Sequence, residues 1–140
     1  MKVDTVGFRK SHGEIAGRTA LLRDLARELP GLGADARGAR RTAVVEYLQA
    51  EIAPHMQLDE RHLYPEVATR LGAPLAAASM SYDHLAIRWW IDRIAEAPVD
   101  RPEELQELLY GLDALIRVHV WKENELYLGM LDSPSWPARA

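Results

Sequence analysis

The stretch HMQLDERHLYP, residues 55–65, holds two histidines, two adjacent acids and an arginine between apolar residues. Pro54 comes immediately before it, and Pro65 ends it. If the stretch is helical, His55 and Asp59 lie one turn apart on the same face, with Cβ atoms about 6 Å apart. A single pair of this kind is most often a surface ion pair worth a few tenths of a kcal/mol. The meaning of the stretch therefore depends on partners elsewhere in the chain.

The composition is that of an ordinary globular protein. The chain has 140 residues, of which 48% are apolar and 27% charged, enough for one domain with a hydrophobic core. The net charge is −4, and we find no Lys/Arg cluster, secretory signal or long apolar run. We therefore expect a soluble, cytoplasmic protein with no nucleic-acid or membrane partner. The absence of cysteine excludes thiolate ligands, so any metal must be held by nitrogen and oxygen atoms.

Apolar residues recur with the helical period along most of the chain, and we find no convincing strand pattern. Glycine and proline divide this pattern into four predicted helices, at residues 6–29, 35–71, 74–96 and 102–131. Four helices with short loops predict an all-α, up-down-up-down antiparallel four-helix bundle. We assign residues 1–132 to this single domain and residues 133–140 to an irregular tail.

The second predicted helix contains the opening stretch and two prolines. Asp35 is its predicted N-cap and Gly72 its stop. Pro54 and Pro65 fall inside it, and because an interior proline removes a backbone donor, we expect a kink at each.

Each predicted helix carries a histidine whose neighbours at helical spacing are mostly apolar. These residues are His12, His55, His84 and His119. They are therefore predicted to point into the bundle. Glu123 follows His119 at the same i, i+4 spacing as the pair in residues 55–65. Two such helices facing each other would surround a pair of metal ions, with the carboxylates between the ions. Burying this many polar groups is costly unless they are paired or bind a metal.

Two residues of the opening stretch allow more than one interpretation. His62 lies two turns after His55 and beside Arg61, and we expect it to be exposed or to lie behind the ligands. Glu60 is rotated away from Asp59 on a helix, so it is either a solvent-facing acid or a substitute ligand.

Four short motifs, taken in order along the chain, resemble one family. PHMQLDERHLYP is similar to the PHxxxEExxLYP signature of hemerythrin-like, or HHE cation-binding, domains, and SHGEI, DHLAIR and HVWKENELYL extend the resemblance to all four helices. The family's fold is a four-helix bundle around a non-haem di-iron centre. The resemblance implies two histidines for each iron and two bridging carboxylates: His12 and His55, His84 and His119, and Asp59 with Glu123.

The sequence departs from the family pattern at two positions. Asp59 stands where the family usually has glutamate, so either the helices approach more closely or Glu60 takes part. Arg88 stands where oxygen-carrying hemerythrins have an additional histidine, one turn after His84. The resemblance therefore implies that the iron on that side has one nitrogen ligand fewer.

We expect the protein to bind two iron ions and, at them, O2, peroxide or nitric oxide, with a redox partner protein to exchange electrons. Zinc or manganese can occupy such ligands in a purified sample. The alternatives are a di-iron peroxidase or catalase-like enzyme and a metal-free helical interaction module. A ferritin-like iron oxidiser is disfavoured, because those bundles use two Glu-x-x-His motifs and only residues 59–62 imitate one.

The aromatic residues near the predicted ligands are assigned to packing first. Tyr47, Tyr64 and Tyr127 are interpreted as core residues, although hydrogen bonding or electron donation at the site stays open for them. Trp89, Trp90 and Trp121 are interpreted as packing residues.

Overall fold

The computed structural model describes residues 2–133, which are helical apart from short turns and contain no strand. The α-helices are α1 (Thr5–Arg18), α2 (Ala20–Glu28), α3 (Ala34–Tyr47), α4 (Ala53–Leu58), α5 (Tyr64–Leu71), α6 (Ala78–Glu96), α7 (Pro102–Lys122) and α8 (Gly129–Asp132). The shorter turns are a 3-10 turn at Leu29–Gly31 and π-helical turns at Leu48–Ile52, Asp59–Leu63 and Glu123–Leu128. Joined end to end, these elements form rods 1 to 4, at residues 5–31, 34–71, 78–96 and 102–132.

Neighbouring rods are antiparallel, because contacts pair early residues of one rod with late residues of the next. Two contacts for each pair of rods illustrate this: Ser11–His55 and Glu28–Arg40, Glu60–His84 and Arg41–Ala97, Asp83–His119 and Arg93–Glu104, and His12–Asn124 and Ala26–Gln106. Since the last two contacts join rod 4 to rod 1, the bundle is closed. The predicted all-α, up-down-up-down four-helix bundle is confirmed.

Apolar side chains pack on both sides of a polar layer that crosses the bundle. The larger apolar cluster includes Leu22, Leu48, Ile87, Leu109 and Leu112, and the smaller includes Leu63, Val67, Met80, Leu128 and Met130. Burying each such side chain contributes roughly 1.5–3 kcal/mol, so the two clusters supply most of the favourable energy of folding. None of the helices within residues 2–133 is long and apolar enough to cross a membrane.

The ends of rod 2 are partly as predicted. Gly72 terminates it in the left-handed conformation, with φ 61° and ψ 28°, which glycine adopts without strain. The prediction of Asp35 as N-cap was wrong. Gly33 is the N-cap, and Asp35 lies in the first turn, where its carboxylate faces the positive end of the helix dipole.

Two other helix boundaries also differ from the prediction. Rod 3 begins at Ala78 rather than at Pro74, because residues 74–77 form tight turns with backbone bonds such as that from Ala78 to Leu75. Rod 1 is interrupted at Thr19, whose hydroxyl donates to the carbonyl of Ala16. The tail predicted for residues 133–140 lies outside the described residues from 134 onward.

The prolines of rod 2 distort it in a specific way. A π-helical turn precedes each one, at Leu48–Ile52 before Pro54 and at Asp59–Leu63 before Pro65. In a π turn a backbone N–H bonds to the carbonyl five residues earlier instead of four, and such turns are frequent at functional sites. A widened turn therefore precedes each proline, and the kink expected at each proline stays a prediction.

Candidate metal centre

Rods 1 and 2 bring two of the predicted histidines together in the polar layer. The Nε2 atoms of His12 and His55 are 3.1 Å apart, and both side chains are buried. Glu123 reaches this point from rod 4, with Oε2 3.2 Å from Nε2 of His12. Asp59 reaches it from rod 2, with Oδ1 3.4 Å from Nε2 of His55. We call these four side chains group A; one ligand atom from each lies within 4.8 Å of the others.

A second group, group B, lies beside the first and uses rods 3 and 4. The Nε2 atoms of His84 and His119 are 3.0 Å apart. Oδ2 of Asp59 is 3.5 Å from Nε2 of His84, and Oε1 of Glu123 is 3.1 Å from Nε2 of His119. Both carboxylates therefore belong to both groups, with one oxygen in each. The structure brings together all six residues that the family resemblance implies as ligands.

The opposite nitrogen of each imidazole, Nδ1, lies within hydrogen-bond distance of a polar residue of another rod. The four contacts are Ser11–His55 (3.0 Å), Glu60–His84 (2.8 Å), Asp83–His119 (2.9 Å) and Asn124–His12 (2.6 Å). They run from rod 1 to rod 2, from 2 to 3, from 3 to 4 and from 4 back to 1. We call this closed set the Nδ1 ring. Each partner directly precedes or follows a group A or group B residue in sequence, and this adjacency is the signal that sequence analysis missed.

The Nδ1 ring determines where the imidazole protons are. Carboxylates and the amide oxygen of Asn124 only accept, so Nδ1 of His12, His84 and His119 donates to them. The Nε2 lone pairs then face the interior of the groups. Metal-binding histidines are oriented in the same way, with the other ring nitrogen donating to a carboxylate or carbonyl. On His84 and His119 the two lone pairs are 3.0 Å apart and repel unless a cation lies between them.

Three buried carboxylate oxygens also fit a cation. Both oxygens of Asp59, and Oε2 of Glu123, have no hydrogen-bond partner within residues 2–133. An unsatisfied buried acceptor costs about 1–3 kcal/mol, and more when it is charged. A metal ion in each group would satisfy all three atoms, so these residues fit a pair of metal ions.

The two carboxylates have opposite proton affinities. Burial, together with the charge of Glu123, raises the pKa of Asp59 well above its usual range. Burial disfavours the ionised form of Glu123 too, but the neighbouring His119 and His12, together with the hydroxyl of Tyr64, outweigh it and hold the pKa of Glu123 far below its usual range. Burial, reinforced by His12, lowers the pKa of His55 to about 4. In the metal-free protein, therefore, Asp59 holds a proton more readily than Glu123.

Tyr64 is a site residue that the sequence analysis assigned to packing. Its hydroxyl donates to Oε1 of Glu123 at 2.6 Å and lies 3.0 Å from Nε2 of His84 and 3.4 Å from Nε2 of His119. The ring stacks on that of His84, with centroids 5.4 Å apart. The hydroxyl of Tyr127, in contrast, donates to the backbone of Ala76 and lies away from both groups.

The residues left open by the sequence lie outside groups A and B. Glu60 is half-exposed and bonds Nδ1 of His84, so it supports a predicted ligand from behind. Arg88 also lies outside both groups, with its guanidinium 3.6 Å from the carboxylate of Glu60. His62 is exposed, in agreement with one of the two expectations for it.

The tryptophans differ in their surroundings. Trp90 packs against the larger apolar cluster, as predicted. Trp89 and Trp121 are instead 56% and 62% exposed, although the Trp89 ring meets that of Trp90 edge-on. The guanidinium of Arg93 lies over the Trp89 ring, 5.9 Å from its centroid.

A cavity of about 490 Å³ opens beside group A. Its walls include Phe8, Ser11, His55, Leu58 and His62.

A closed antiparallel bundle with two buried groups of histidine and carboxylate side chains defines a class of helical protein suited to hold metal within its core. The family model for the hemerythrin HHE cation-binding domain matches residues 5–131. The chain therefore belongs to the hemerythrin HHE family. No curated protein and no solved structure matched the chain.

Proposed function

We propose that this protein is a non-haem di-iron protein that binds O2, peroxide or nitric oxide. One observation carries the proposal: the carboxylates of Asp59 and Glu123 each direct one oxygen to group A and the other to group B. Two ions side by side, bridged by both carboxylates, would use every one of these oxygens. A single ion would leave one group with its facing imidazole lone pairs uncompensated.

Iron is the proposed metal because the family resemblance points to it and the donor set accepts it. Imidazole and carboxylate ligands also suit manganese and zinc, and affinity alone favours whichever ion is abundant. Zinc found in a purified sample would therefore not identify the metal that acts in the cell.

A pair of ferrous ions would supply an electron-rich centre at which O2, peroxide or nitric oxide is bound and reduced. The chain's own residues orient the ligands and exclude water. The Nδ1 ring holds each imidazole with its Nε2 atom toward the ions, and the two apolar clusters keep bulk water away. The cavity beside His55 would admit the small molecule, and a redox partner protein would return electrons to the centre.

The test is the metal content of protein loaded anaerobically with ferrous iron and desalted, together with its absorption spectrum after exposure to air. We expect two irons per chain and near-ultraviolet charge-transfer bands. His55→Gln should lower the iron content, because it removes an Nε2 ligand of group A. His62→Gln is the matched control and should leave the iron content unchanged, since His62 is exposed and lies outside both groups. A wild-type chain that stays free of iron would refute the proposal.

A ligand titration distinguishes a protein that only binds O2, peroxide or nitric oxide from an enzyme that consumes peroxide. Titration of the reduced protein with O2, peroxide and nitric oxide should change the spectrum stoichiometrically if the protein is a carrier or sensor. Continuous consumption of peroxide would instead favour the peroxidase or catalase-like alternative. The metal-free interaction module has less support, because a bundle without metal gains nothing from three buried carboxylate oxygens that lack partners.

A further inference from the structure

We propose that the phenol oxygen of Tyr64 is a protein ligand of the metal ion in group B. The inference rests on the proposed function, because it assumes that each group holds an ion. It adds a donor to group B that has no equivalent in group A, and so makes the two metal positions chemically unequal.

The first argument is the spacing between donor atoms. Nitrogen and oxygen ligands lie about 2.0–2.2 Å from a transition-metal ion, so ligands at right angles are about 3.0 Å apart. Two pairs of donor atoms in group B have this spacing: the Nε2 atoms of His84 and His119 are 3.0 Å apart, and Nε2 of His119 is 3.1 Å from Oε1 of Glu123. The Tyr64 oxygen lies 2.6 Å from Oε1 of Glu123, 3.0 Å from Nε2 of His84 and 3.4 Å from Nε2 of His119. It therefore occupies the position of a further donor around the same point.

The second argument is the difference between the two groups. Beside group A the corresponding aromatic ring is Phe8, which meets the rings of His12 and His55 edge-on at 6.2 and 6.1 Å and has no donor atom. Within residues 2–133, group A thus offers one oxygen from each carboxylate and two nitrogens, whereas group B offers these and the Tyr64 oxygen. The ion in group A would keep more open positions, and the cavity beside His55 lies on that side.

The third argument concerns the position one turn after His84. Arg88 stands there and pairs with Glu60 at the surface of the bundle, so α6 brings no second donor to group B. Rod 2 supplies the further donor instead, from Tyr64. The N–H of Tyr64 bonds to the carbonyl of Asp59 across the π turn, and this widened turn brings the two side chains to the same ion position.

The proton balance of the step is simple. In the metal-free protein the phenol keeps its proton and donates it to Oε1 of Glu123. When a cation enters group B, the oxygen–metal bond forms, the O–H bond breaks, and the proton is released to solvent, as occurs when metals bind other protonated ligands. No oxidant or reductant is required.

The experiment compares wild type, Tyr64→Phe and Tyr127→Phe, each loaded with iron and oxidised. A tyrosinate bound to ferric iron gives a visible charge-transfer band and enhanced tyrosinate ring vibrations in the resonance Raman spectrum. We expect both in wild type and in Tyr127→Phe, and loss of both in Tyr64→Phe at unchanged iron content. Tyr127→Phe is the matched control, because its ring contacts Tyr64 but its hydroxyl bonds only the backbone of Ala76 among the described residues.

The outcomes separate this inference from the proposed function. Iron-loaded wild type without tyrosinate signals overturns the role of Tyr64 and leaves the di-iron proposal standing. A chain that binds neither iron nor zinc overturns both. If Tyr64→Phe fails to fold, the resonance Raman spectra of wild type and Tyr127→Phe still decide, since the tyrosinate vibrations must be present in both. Zinc titration gives a second readout, because a bound tyrosinate produces an ultraviolet difference spectrum that persists in Tyr127→Phe.

Discussion

Replacing Asp59 with asparagine should stabilise the metal-free protein and impair the metal-bound one. The substitution keeps the size of the side chain and removes its charge. Both oxygens of Asp59 are buried and have no hydrogen-bond partner among the described residues, so the wild-type carboxylate bears an uncompensated cost in the absence of metal. A neutral amide carries a much smaller desolvation penalty than an ionised carboxylate.

The gain in the metal-free protein is the cost of burying an ionised carboxylate minus the smaller cost of burying a neutral amide, on the order of 1–3 kcal/mol. For a chain of this size, 1 kcal/mol corresponds to about 3–4 °C in Tm, so Asp59→Asn should raise the Tm by about 3–12 °C. The gain should also depend on pH. Because burial raises the pKa of Asp59 in the folded state, wild type loses stability as the pH rises from the usual aspartate range toward the raised pKa. Asp59→Asn lacks this loss, so the difference between the two proteins should grow with pH.

The effect on metal binding has the opposite sign. An ion present at 100 times its Kd stabilises the folded protein by about 2.7 kcal/mol. Since Asp59 directs one oxygen to each group, its loss should weaken both metal positions. The rise in Tm that ferrous iron produces should therefore be large in wild type and reduced to less than half in Asp59→Asn.

The assay is thermal unfolding with and without ferrous iron under anaerobic conditions, at several pH values. Glu60→Gln is the control for the neighbouring acid, which bonds Nδ1 of His84 and is exposed to solvent. It should leave metal-free stability nearly unchanged, and this separates it from Asp59→Asn. It should also weaken iron binding about 10–100-fold, which at this ion concentration leaves about 0.4–1.4 kcal/mol of the iron-dependent stabilisation. If Glu60→Gln abolishes the iron-dependent rise and Asp59→Asn leaves it intact, the assignment of Asp59 as the bridging ligand is wrong.

Three further predictions concern the support of the site and the packing of the bundle. Asp83→Asn should weaken metal binding about 10–100-fold in a chelator competition assay, because the carboxylate accepts from Nδ1 of His119. Gly111→Ala should cost about 1–3 kcal/mol in urea unfolding, since its Cβ would collide with the Trp90 ring, whereas Gly17→Ala faces open space and should stabilise by up to about 1 kcal/mol. Removal of bound metal with a chelator should lower the Tm of wild type reversibly.

The parts of the fold that follow from helical periodicity could be predicted from sequence. All four histidines predicted to point inward are buried, because an apolar face recurring every 3.6 residues determines which positions face the core. The stop at Gly72 could be predicted for a similar reason, since few other residues adopt a positive φ without strain. These features depend on residues that are close together in the chain.

The features that were missed depend on tertiary contacts. The break at Thr19 has no residue signal in the sequence, because the hydroxyl bond of Thr19 to a carbonyl is of a kind that Thr42 and Thr69 also make inside unbroken helices. The π turn before Pro65 could not be read from the sequence either. Proline indicates that a backbone donor is missing, but packing against the other rods decides whether the helix kinks, ends or widens. For this reason the sequence left open whether Tyr64 packs in the core or forms a hydrogen bond at the site.

The π turns explain why so small a bundle can converge its ligands. In a regular α-helix, residue i+5 points about 140° away from residue i. The π turn at Asp59–Leu63 reduces this divergence, and Asp59 and Tyr64 then face the same group. A second π turn begins at Glu123, the other shared carboxylate. A widened helical turn therefore begins at each shared carboxylate, and in rod 4 it forms without a proline, because Glu123–Leu128 contains none.

The Nδ1 ring explains why the ligands lie at one level in all four rods. Each of its members stands next to a group A or group B residue in sequence, so a rod that places its own ligand correctly also places the hydrogen-bond partner of a histidine on the next rod. Each rod contributes one histidine and one hydrogen-bond partner to the ring, so a shift of one rod along its axis would break two ring contacts at once. The ring therefore couples the register of the bundle to the geometry of the site. Three of the contacts that align the rods, those of His12, His84 and His119, also direct an Nε2 lone pair into groups A and B.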